Sequence, residues 1–294
     1  MRLIEAVQRS SARLDQAGVC FGQGTTNAFD EAVWLVLWRL GLPLDDLDGV
    51  AERELSAAEL ESIAALTEQR IARRLPAAYL TREAWLQGVP FYIDERVIVP
   101  RSLIAEPLAD GTLDAWLGED TRSVLDLCTG NGSLAVLAAL AWPEVDVVAA
   151  DIDTDALAVA RINVERHELA DRVTLLHSDL LDAVPGRFDL ILCNPPYVNA
   201  DSMAALPAEF RAEPALALAG GQDGMDLVRR VLGDAPARLN DQGLLVLEIG
   251  HEREHFEAAF PRLDCVWLDT SAGGDQVLLA TREQLLELTE ENPT

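Results

Sequence analysis

The sequence predicts an α/β fold: a mostly parallel, seven-stranded sheet preceded by a small helical domain and a β-hairpin connector. Two observations carry this prediction. From Ser123 onward, short β-prone runs alternate with helical patterns, whereas the part before Pro76 shows only helical periodicity. The length of 294 residues, with 49% hydrophobic and 25% charged residues, fits one large globular domain plus a smaller companion.

The alternation after Ser123 predicts the order of the sheet elements. Strand candidates are Ser123–Leu127, Asp146–Ala150, Val173–His177, Phe188–Cys193, Gly243–Ile249, Cys265–Leu268 and Gln276–Thr281. Helical patterns lie at Ser133–Trp142, Asp155–His167, Met225–Leu239 and Glu252–Ala259. Strands that alternate with helices favour a parallel sheet. The last two candidates follow each other without a helix, which predicts a hairpin and an antiparallel last strand.

The first 75 residues are predicted to form the helical domain. Ala28–Leu40 is apolar at helical spacing and ends before Gly41 and Pro43, both of which stop helices. A second helix, Ser56–Arg74, begins with a capping box formed by Ser56 and Glu59.

Residues 76–110 are predicted to connect the domains through a β-hairpin. Four short β-prone runs follow Pro76, separated by Gly88 and by the polar turn Asp94-Glu95-Arg96. The runs are Tyr79-Leu80, Trp85-Leu86, Phe91-Tyr92-Ile93 and Val97-Ile98-Val99. The larger domain is expected over residues 111–285, with an acidic tail over 286–294.

The charge balance excludes some classes of chemistry. The formal net charge is −27, and all 23 basic residues are arginine. The lack of lysine excludes lysine Schiff-base enzymes and the Walker phosphate loop. So many acidic groups disfavour a nucleic-acid partner and favour a basic protein, although a genome-wide bias in composition explains the charge equally well.

The cysteines and apolar runs indicate a cytoplasmic location. Four widely spaced cysteines, with no C-x-x-C pair, are typical of reduced thiols. The N-terminus carries no apolar signal segment, and the longest apolar runs, such as Leu134–Trp142, are too short to span a membrane.

Candidate binding residues follow the first two strands, because ligands of open parallel sheets bind at the carboxyl ends of the strands. The segment Asp126–Ser133 contains Gly130 and Gly132, which permit a tight turn and close ligand approach. Asp151 ends the second strand, where a carboxylate can accept ribose hydroxyls. The alternatives are an ordinary strand-to-helix turn and an acid that caps the next helix. No third glycine follows Ser133, which disfavours a dinucleotide.

The next two strand ends add a possible site for a planar amino group. Asp179, in His177-Ser178-Asp179-Leu180, can accept a hydrogen bond from an adenine amino group, although a plain surface acid is the more common case.

The tetrapeptide Asn194-Pro195-Pro196-Tyr197 is rigid, because its prolines fix the backbone and remove two donors. The exposed carbonyls, the Asn194 amide and the Tyr197 ring can form a slot for the NH₂ of an amide or an adenine. The alternative is a rigid turn with a packed tyrosine.

A zinc site is not expected at His251-Glu252-Arg253-Glu254-His255. The segment matches H-E-x-x-H, which needs two histidines on one helix face and a third ligand. It is very polar, it starts directly after a strand, and no histidine follows His255. We therefore expect no metal.

Together these segments resemble the class I S-adenosylmethionine methyltransferases of the HemK type, which methylate the side-chain amide nitrogen of a protein glutamine. The matching segments are Asp126–Ser133, Asp151, Ser178-Asp179-Leu180, Asn194-Pro195-Pro196-Tyr197, Leu206–Pro214 and Gly220–Gly224. Gly22–Asn27, Ala78–Thr81 and Val99–Ser102 resemble the branch that acts on ribosomal protein L-three. The resemblance runs from Phe21 to Leu285. It departs at Cys128, where many methyltransferases have glycine.

The resemblance implies a Rossmann-like sheet, S-adenosyl-L-methionine as cofactor, and a role for each matching residue. The cofactor would contact Cys128, Thr129, Gly130, Asn131 and Gly132 with its methionine part. Asp151 would hold the ribose, and Asp179 and Leu180 would frame the adenine. Asn194, next to the cofactor, would act in catalysis together with Pro195, Pro196 and Tyr197.

The resemblance also implies a basic protein partner, ribosomal protein L-three, recognised by the helical domain. No DNA or membrane partner is expected. Alternatives are glutamine methylation of the release-factor Gly-Gly-Gln loop and adenine-N6 methylation of nucleic acid, which uses a similar Asn-Pro-Pro-Tyr. A non-enzymatic, cofactor-sensing module of ribosome assembly is the third alternative, and the intact tetrapeptide disfavours it.

Overall fold

The computed structural model describes residues 1–290, and the first 73 of these carry only helices. The helices are α1 (Leu3–Gln16), α2 (Ala28–Leu40), α3 (Leu47–Val50) and α4 (Ala57–Arg73). Helix α2 ends at Gly41, whose φ of 64° is the left-handed conformation that glycine adopts readily. The capping box of Ser56 and Glu59 is present at the start of α4. The two predicted helices are confirmed.

The connector contains one hairpin, as predicted, but only two of the four β-prone runs form it. Strands β1 (Glu83–Leu86) and β2 (Val89–Tyr92) pair antiparallel through a turn at Gln87-Gly88. Both turn residues have positive φ, which suits a two-residue hairpin turn.

The other two runs of the connector are not strands, and tertiary contacts explain the difference. Tyr79-Leu80 lies in a short helix, α5 (Ala77–Thr81), where the Tyr79 hydroxyl donates to the carbonyl of Val97 at 2.5 Å. The run Val97–Val99 pairs with no strand, because the Val99 N–H donates to the Glu213 carboxylate at 2.9 Å.

The larger part is a seven-stranded mixed sheet. The strands are β3 (Ser123–Leu127), β4 (Asp146–Asp151), β5 (Val173–His177), β6 (Phe188–Cys193), β7 (Leu239–Glu248), β8 (Val266–Thr270) and β9 (Gly273–Thr281). Their order in space is β5-β4-β3-β6-β7-β9-β8. Strands β3 to β7 run parallel, and β9 is antiparallel to both β7 and β8. This confirms the predicted fold class.

Helices cover both faces of the sheet. They are α6 (Ala105–Ala109), α7 (Ser133–Ala141), α8 (Thr154–Arg166), α9 (Ala200–Ala205), α10 (Asp226–Arg238), α11 (Arg253–Ala259) and α12 (Arg282–Glu290). Successive strand residues point to opposite faces, so Val124 packs with α7 and Leu125 packs with α10. No helix in the described part is long and apolar enough to cross a membrane.

The segment predicted as an acidic tail begins as a helix. Residues up to Glu290 continue α12, with Leu285 fully buried and Leu288 packed against the core. Leucines spaced three residues apart bury one face of α12, while Glu283 and Glu287 lie on the exposed side. The rest of the predicted tail, residues 291–294, lies outside the described residues.

The helical part shares a core with the sheet domain. Trp34 of α2 and Tyr79 of α5 pack in one buried cluster with Val97 and with Ala156 and Val159 of α8. Because this cluster includes residues from both parts, the apolar packing holds the helical region against helix α8 of the sheet domain. The domain limits at residues 75, 110 and 285 stay a prediction.

Asn163 fastens the hairpin and the turn after β3 to helix α8. Its fully buried amide accepts from the N–H of Tyr92 at 2.7 Å and donates to two carbonyl oxygens, those of Tyr92 (3.0 Å) and Asn131 (2.8 Å). Through these three bonds the Asn163 side chain connects helix α8 to strand β2 and to the turn after β3.

We expect Asn163→Ala to lower the free energy of unfolding by about 3 kcal/mol, because it leaves buried backbone groups unsatisfied. Urea denaturation measures this loss. The control is Asn240→Ala, which removes one partly buried bond to Asp189 and costs about 1 kcal/mol. A loss at Asn163 no larger than at Asn240 would contradict this role.

Candidate functional site

The carboxyl ends of β3, β4 and β6 and the loop after β5 meet at one cleft of about 200 Å³. Five of the predicted binding residues line it together: Cys128, Gly130, Asp151, Asp179 and Leu180. Asn194 and Pro196 of the tetrapeptide after β6 line the same cleft. The convergence follows from the parallel order of these strands, whose ends share one edge of the sheet.

The turn after β3 has the left-handed backbone that its glycines suggest. The φ values are 60° at Cys128, 55° at Gly130 and 80° at Gly132. A Cβ placed on Gly130 would meet no atom within 4 Å, so the space above the turn is open to a ligand. A Cβ on Gly132 would lie 3.1 Å from the Ala160 Cβ, so this glycine lets α7 and α8 pack closely.

Asp151 ties the ends of two neighbouring strands together. One carboxylate oxygen accepts from the Gly130 N–H at 2.8 Å, and the other accepts from the Asp153 N–H at 2.9 Å. Burial raises the pKa of Asp151, and these two N–H donors act against that rise. The carboxylate borders the cleft with lone pairs available for hydroxyl donors.

Asp126 lies under the same turn, away from the cleft. One oxygen accepts from the Thr129 hydroxyl at 2.5 Å and from the Ala135 N–H at 3.0 Å, while the other has no hydrogen-bond partner. Burial raises the pKa of Asp126 to about 7. Thr129 and Asn131 are buried beside it and do not line the cleft, nor does Gly132. Their predicted contact with a cofactor stays untested.

The wall after β5 combines an ion pair with an apolar surface. Asp179 is exposed and pairs with Arg230 of α10 at 2.9 Å. Leu180 is buried, with a φ of 47°, and its carbonyl accepts from the Ser178 hydroxyl at 2.7 Å. Leu180 therefore presents an apolar side chain to the cleft, next to a neutralised acid.

The tetrapeptide Asn194-Pro195-Pro196-Tyr197 divides between the cleft and the protein interior. Both prolines are buried, but only Asn194 and Pro196 contribute to the lining of the cleft. The Tyr197 hydroxyl donates to the Glu248 carboxylate at 2.9 Å, and a Cβ on Gly250 would lie 2.4 Å from the tyrosine ring. Tyr197 does not line the cleft, so in this structure its ring holds the turn in place, and its stacking on a ligand stays a prediction.

Glu248 supports the tetrapeptide from behind. Besides Tyr197, it accepts from the Ser102 hydroxyl at 2.6 Å and from the Leu103 N–H at 2.9 Å. Burial raises the pKa of Glu248, and the same burial, together with the nearby Glu248 charge, raises the pKa of Tyr197. Sequence reasoning missed this carboxylate, because its partners lie about 50 and 145 residues away in the chain.

Sequence reasoning also missed the loop that closes the cleft. Pro214, Leu216 and Ala217 form one wall, and Leu216 is 59% exposed. Arg96 also lines the cleft and is held by Asp94 through two bonds of 2.8 and 2.6 Å. The loop has no periodic pattern to reveal it, although Leu206–Pro214 is part of the family resemblance.

The H-E-x-x-H segment lacks the geometry of a zinc site. His251 precedes helix α11, and Glu252 is its N-cap, so the two histidines do not share a helix. The His255 ring nitrogen Nδ1 is bonded to the Glu252 carboxylate at 2.6 Å. Within residues 1–290, no group of His, Cys, Asp and Glu side chains is arranged to hold a metal ion.

Asp126 makes stability depend on pH in a defined direction. Its pKa is about 7 in the folded chain and near 3.8 when unfolded, so between these values the folded state binds an extra proton and its stability falls as pH rises. We expect Asp126→Asn to reduce the loss of stability between pH 5 and pH 8 by on the order of 3 kcal/mol. Urea denaturation at both pH values measures it, and parallel curves for the two proteins would contradict it.

Comparison with known proteins agrees with the observed fold. A family described as "Methyltransferase small domain" matches residues 111–221. The catalytic domain of hMettl16, crystallised with the MAT2A 3'UTR hairpin 6, superposes with a TM-score of 0.52 at 15% identity, covering 76% of this chain and 81% of that one. At this identity the similarity shows the fold alone.

Several relatives carry the name ribosomal protein uL3 glutamine methyltransferase. The protein of Bordetella pertussis is 54% identical over 96% of this chain and 96% of its own length. That of Burkholderia pseudomallei is 52% identical over 96% and 94%, and that of Bradyrhizobium diazoefficiens is 47% identical over 94% and 89%. At this identity over nearly the whole length, the chain belongs to the family of the ribosomal protein uL3 glutamine methyltransferases.

Proposed function

We propose that this chain transfers a methyl group from S-adenosyl-L-methionine to the side-chain amide nitrogen of a glutamine in ribosomal protein L-three, the uL3 of its relatives' names. The observation that carries the proposal is that Asn194 and Pro196 line the same cleft as Asp151 and Gly130. One cleft therefore holds both the predicted cofactor residues and the predicted amide slot.

The residues of the cleft fit S-adenosyl-L-methionine. Asp151 offers carboxylate oxygens for ribose hydroxyls, and the open left-handed turn at Gly130 allows an extended chain to lie close to the backbone. Leu180, Leu216 and Leu227 supply apolar contacts for a planar base. When bound, this cofactor supplies a methyl group on a positively charged sulfur.

The tetrapeptide supplies positioning. An amide nitrogen is a weak nucleophile because its lone pair is delocalised, so orientation contributes much of the rate. The Asn194 side-chain oxygen and the Pro195 carbonyl can accept the two N–H bonds of a glutamine amide and stabilise positive charge that develops on nitrogen. The rigid prolines and the Tyr197–Glu248 bond keep this slot preformed.

The charge of −27 supports a basic protein acceptor and disfavours nucleic acid. We further propose that residues 1–75 recognise the substrate, that residues 76–110 link the two domains and that residues 111–285 carry catalysis. We also propose that the protein acts in the cytoplasm.

Mass spectrometry of ribosomal proteins from a strain lacking this chain tests the function. Loss of one methyl group from L-three, with the release factors unchanged, is expected. Loss from a release factor instead would assign the other branch of the family.

Asn194→Ala should slow methyl transfer about 10²–10³-fold, because one preorganised acceptor is removed from the slot. Affinity for S-adenosyl-L-methionine should change much less, since Asp151 and Gly130 are untouched. Single-turnover transfer to purified L-three and calorimetric cofactor binding separate the two effects. Asn199→Ala, in the loop just beyond, is the control. Near-normal turnover of Asn194→Ala would refute the slot.

Asp151→Ala should weaken cofactor binding by on the order of 2–4 kcal/mol, because it removes charge-assisted bonds to the ribose. Asp151→Asn should lose less, since its side-chain oxygen can still accept from Gly130. Calorimetry measures both variants. Unchanged affinity in Asp151→Ala would overturn the assignment of the ribose site.

A further inference from the structure

The wall of the cleft formed by Pro214, Leu216 and Ala217 belongs to a loop, residues 206–218, that lacks regular support. Its backbone forms two single 3₁₀ turns, Phe210–Ala212 and Ala215–Ala217, and at its end the Leu218 carbonyl accepts from the Val198 N–H at 2.9 Å. Such short turns do not fix where the loop lies. Before Leu218, the polar contacts that tie the loop to other segments are made through side chains.

Two buried carboxylates anchor this loop, and the first reaches into the helical region. Glu209 is 2% exposed and accepts from the Cys20 N–H at 3.1 Å and from the Arg74 guanidinium at 3.1 Å. The Arg70 guanidinium lies 3.5 Å from the same oxygen. Burial alone would raise the pKa of Glu209, but these donors lower it below its usual value, so the group is ionised.

The arginines that hold Glu209 are themselves fixed by the helical region. Arg70 of α4 is 1% exposed, pairs with Glu31 of α2 at 2.8 Å and donates to the Cys20 carbonyl at 2.9 Å. Arg74 donates to the carbonyls of Ala17 and Gly18 at 2.8 and 2.7 Å. The Glu209 site is therefore built almost wholly from residues before the hairpin.

The second carboxylate, Glu213, ties the same loop to the connector. It accepts two bonds from Arg101, at 2.6 and 2.8 Å, and one from the Val99 N–H at 2.9 Å. Arg101 also lies over the Phe210 ring, 5.5 Å from its centre. Glu213 fixes the residue before Pro214 and Glu209 fixes the loop four residues earlier, so the two carboxylates together hold the segment that leads into the cleft wall.

We propose that Glu209 is a positioning residue through which the helical region holds the wall of the cofactor cleft in place. A buried charge that loses its partner is costly, so the loop and the helical region keep one relative position. In this arrangement the helical region contributes to cofactor binding as well as to recognition of a substrate. The inference rests on the proposed function for the identity of the cofactor.

A matched pair of variants tests this inference. Glu209→Gln and Glu31→Gln each remove one buried carboxylate that pairs with Arg70, but only Glu209 lies on the loop. Both changes should destabilise the helical region. Only Glu209→Gln should loosen the cleft wall, because Glu31→Gln leaves Glu209 bonded to Arg74 and to the Cys20 N–H. Should Glu209→Gln fail to fold, Arg74→Gln removes one of the loop's bonds at a side chain that is 36% exposed.

Two measurements on the whole chain, amide hydrogen exchange and the dissociation constant of the cofactor, test whether Glu209 positions the cleft wall. Amide hydrogen exchange over residues 206–218 should be faster in Glu209→Gln and unchanged in Glu31→Gln. The dissociation constant of S-adenosyl-L-methionine should rise about tenfold in Glu209→Gln, as expected when about a tenth of the molecules keep a competent wall, and stay near the unmodified value in Glu31→Gln. In Arg74→Gln both effects should appear in the same direction and be smaller.

Equal dissociation constants for the two folded variants, or unchanged exchange in the loop of Glu209→Gln, would overturn the inference. Failure of the unmodified chain to bind S-adenosyl-L-methionine would instead count against the proposed function. The exchange comparison, made without ligand, would still test the anchor.

Discussion

Buried carboxylates that accept backbone N–H groups are the interaction on which the rest of this cleft depends. Loops and the first turns of helices leave N–H groups without backbone partners, and these groups need acceptors when water is excluded. Asp126 takes the N–H of Ala135, Asp151 takes that of Gly130, and Glu248 takes that of Leu103. Asp126 thereby fixes the first turn of α7, Asp151 fixes the turn after β3, and Glu248 fixes the segment before α6 and, through Tyr197, the tetrapeptide at the cleft.

The same burial gives the cleft its electrostatic character. Burial raises the pKa of Asp151, the carboxyl group that borders the cleft, so a positive charge close to it would stabilise its ionised form. The two arginines that line the cleft do not supply that charge, because Asp94 and Asp179 already neutralise them. A ligand that carries its own positive charge, such as the sulfonium compound we propose, suits such a site.

The sequence allowed prediction of what depends on local pattern. Strands β3, β5 and β6 were placed to the residue because apolar runs of that length, between turns and helices, have few alternatives. The cleft residues at strand ends followed from topology. Contacts between residues distant in the chain could not be predicted in this way. Val99 does not join a strand because its N–H donates to the Glu213 carboxylate. Tyr197 points away from the cleft because its hydroxyl donates to Glu248. Leu216 was missed because an exposed leucine in an irregular loop carries no signal.

Cys128 shows how a site can keep its shape while departing from a family pattern. Its φ of 60° is the conformation that glycine adopts freely and that costs other residues roughly 1–2 kcal/mol. The two residues that follow Cys128 hold the turn in this conformation: the Thr129 N–H donates to the Ala150 carbonyl at 3.0 Å, and the Gly130 N–H donates to Asp151. The side chain packs against the apolar cluster that contains Cys193, on the neighbouring strand. The backbone that a ligand would meet is thus imposed by the surrounding hydrogen bonds, and the residue at 128 adapts to it.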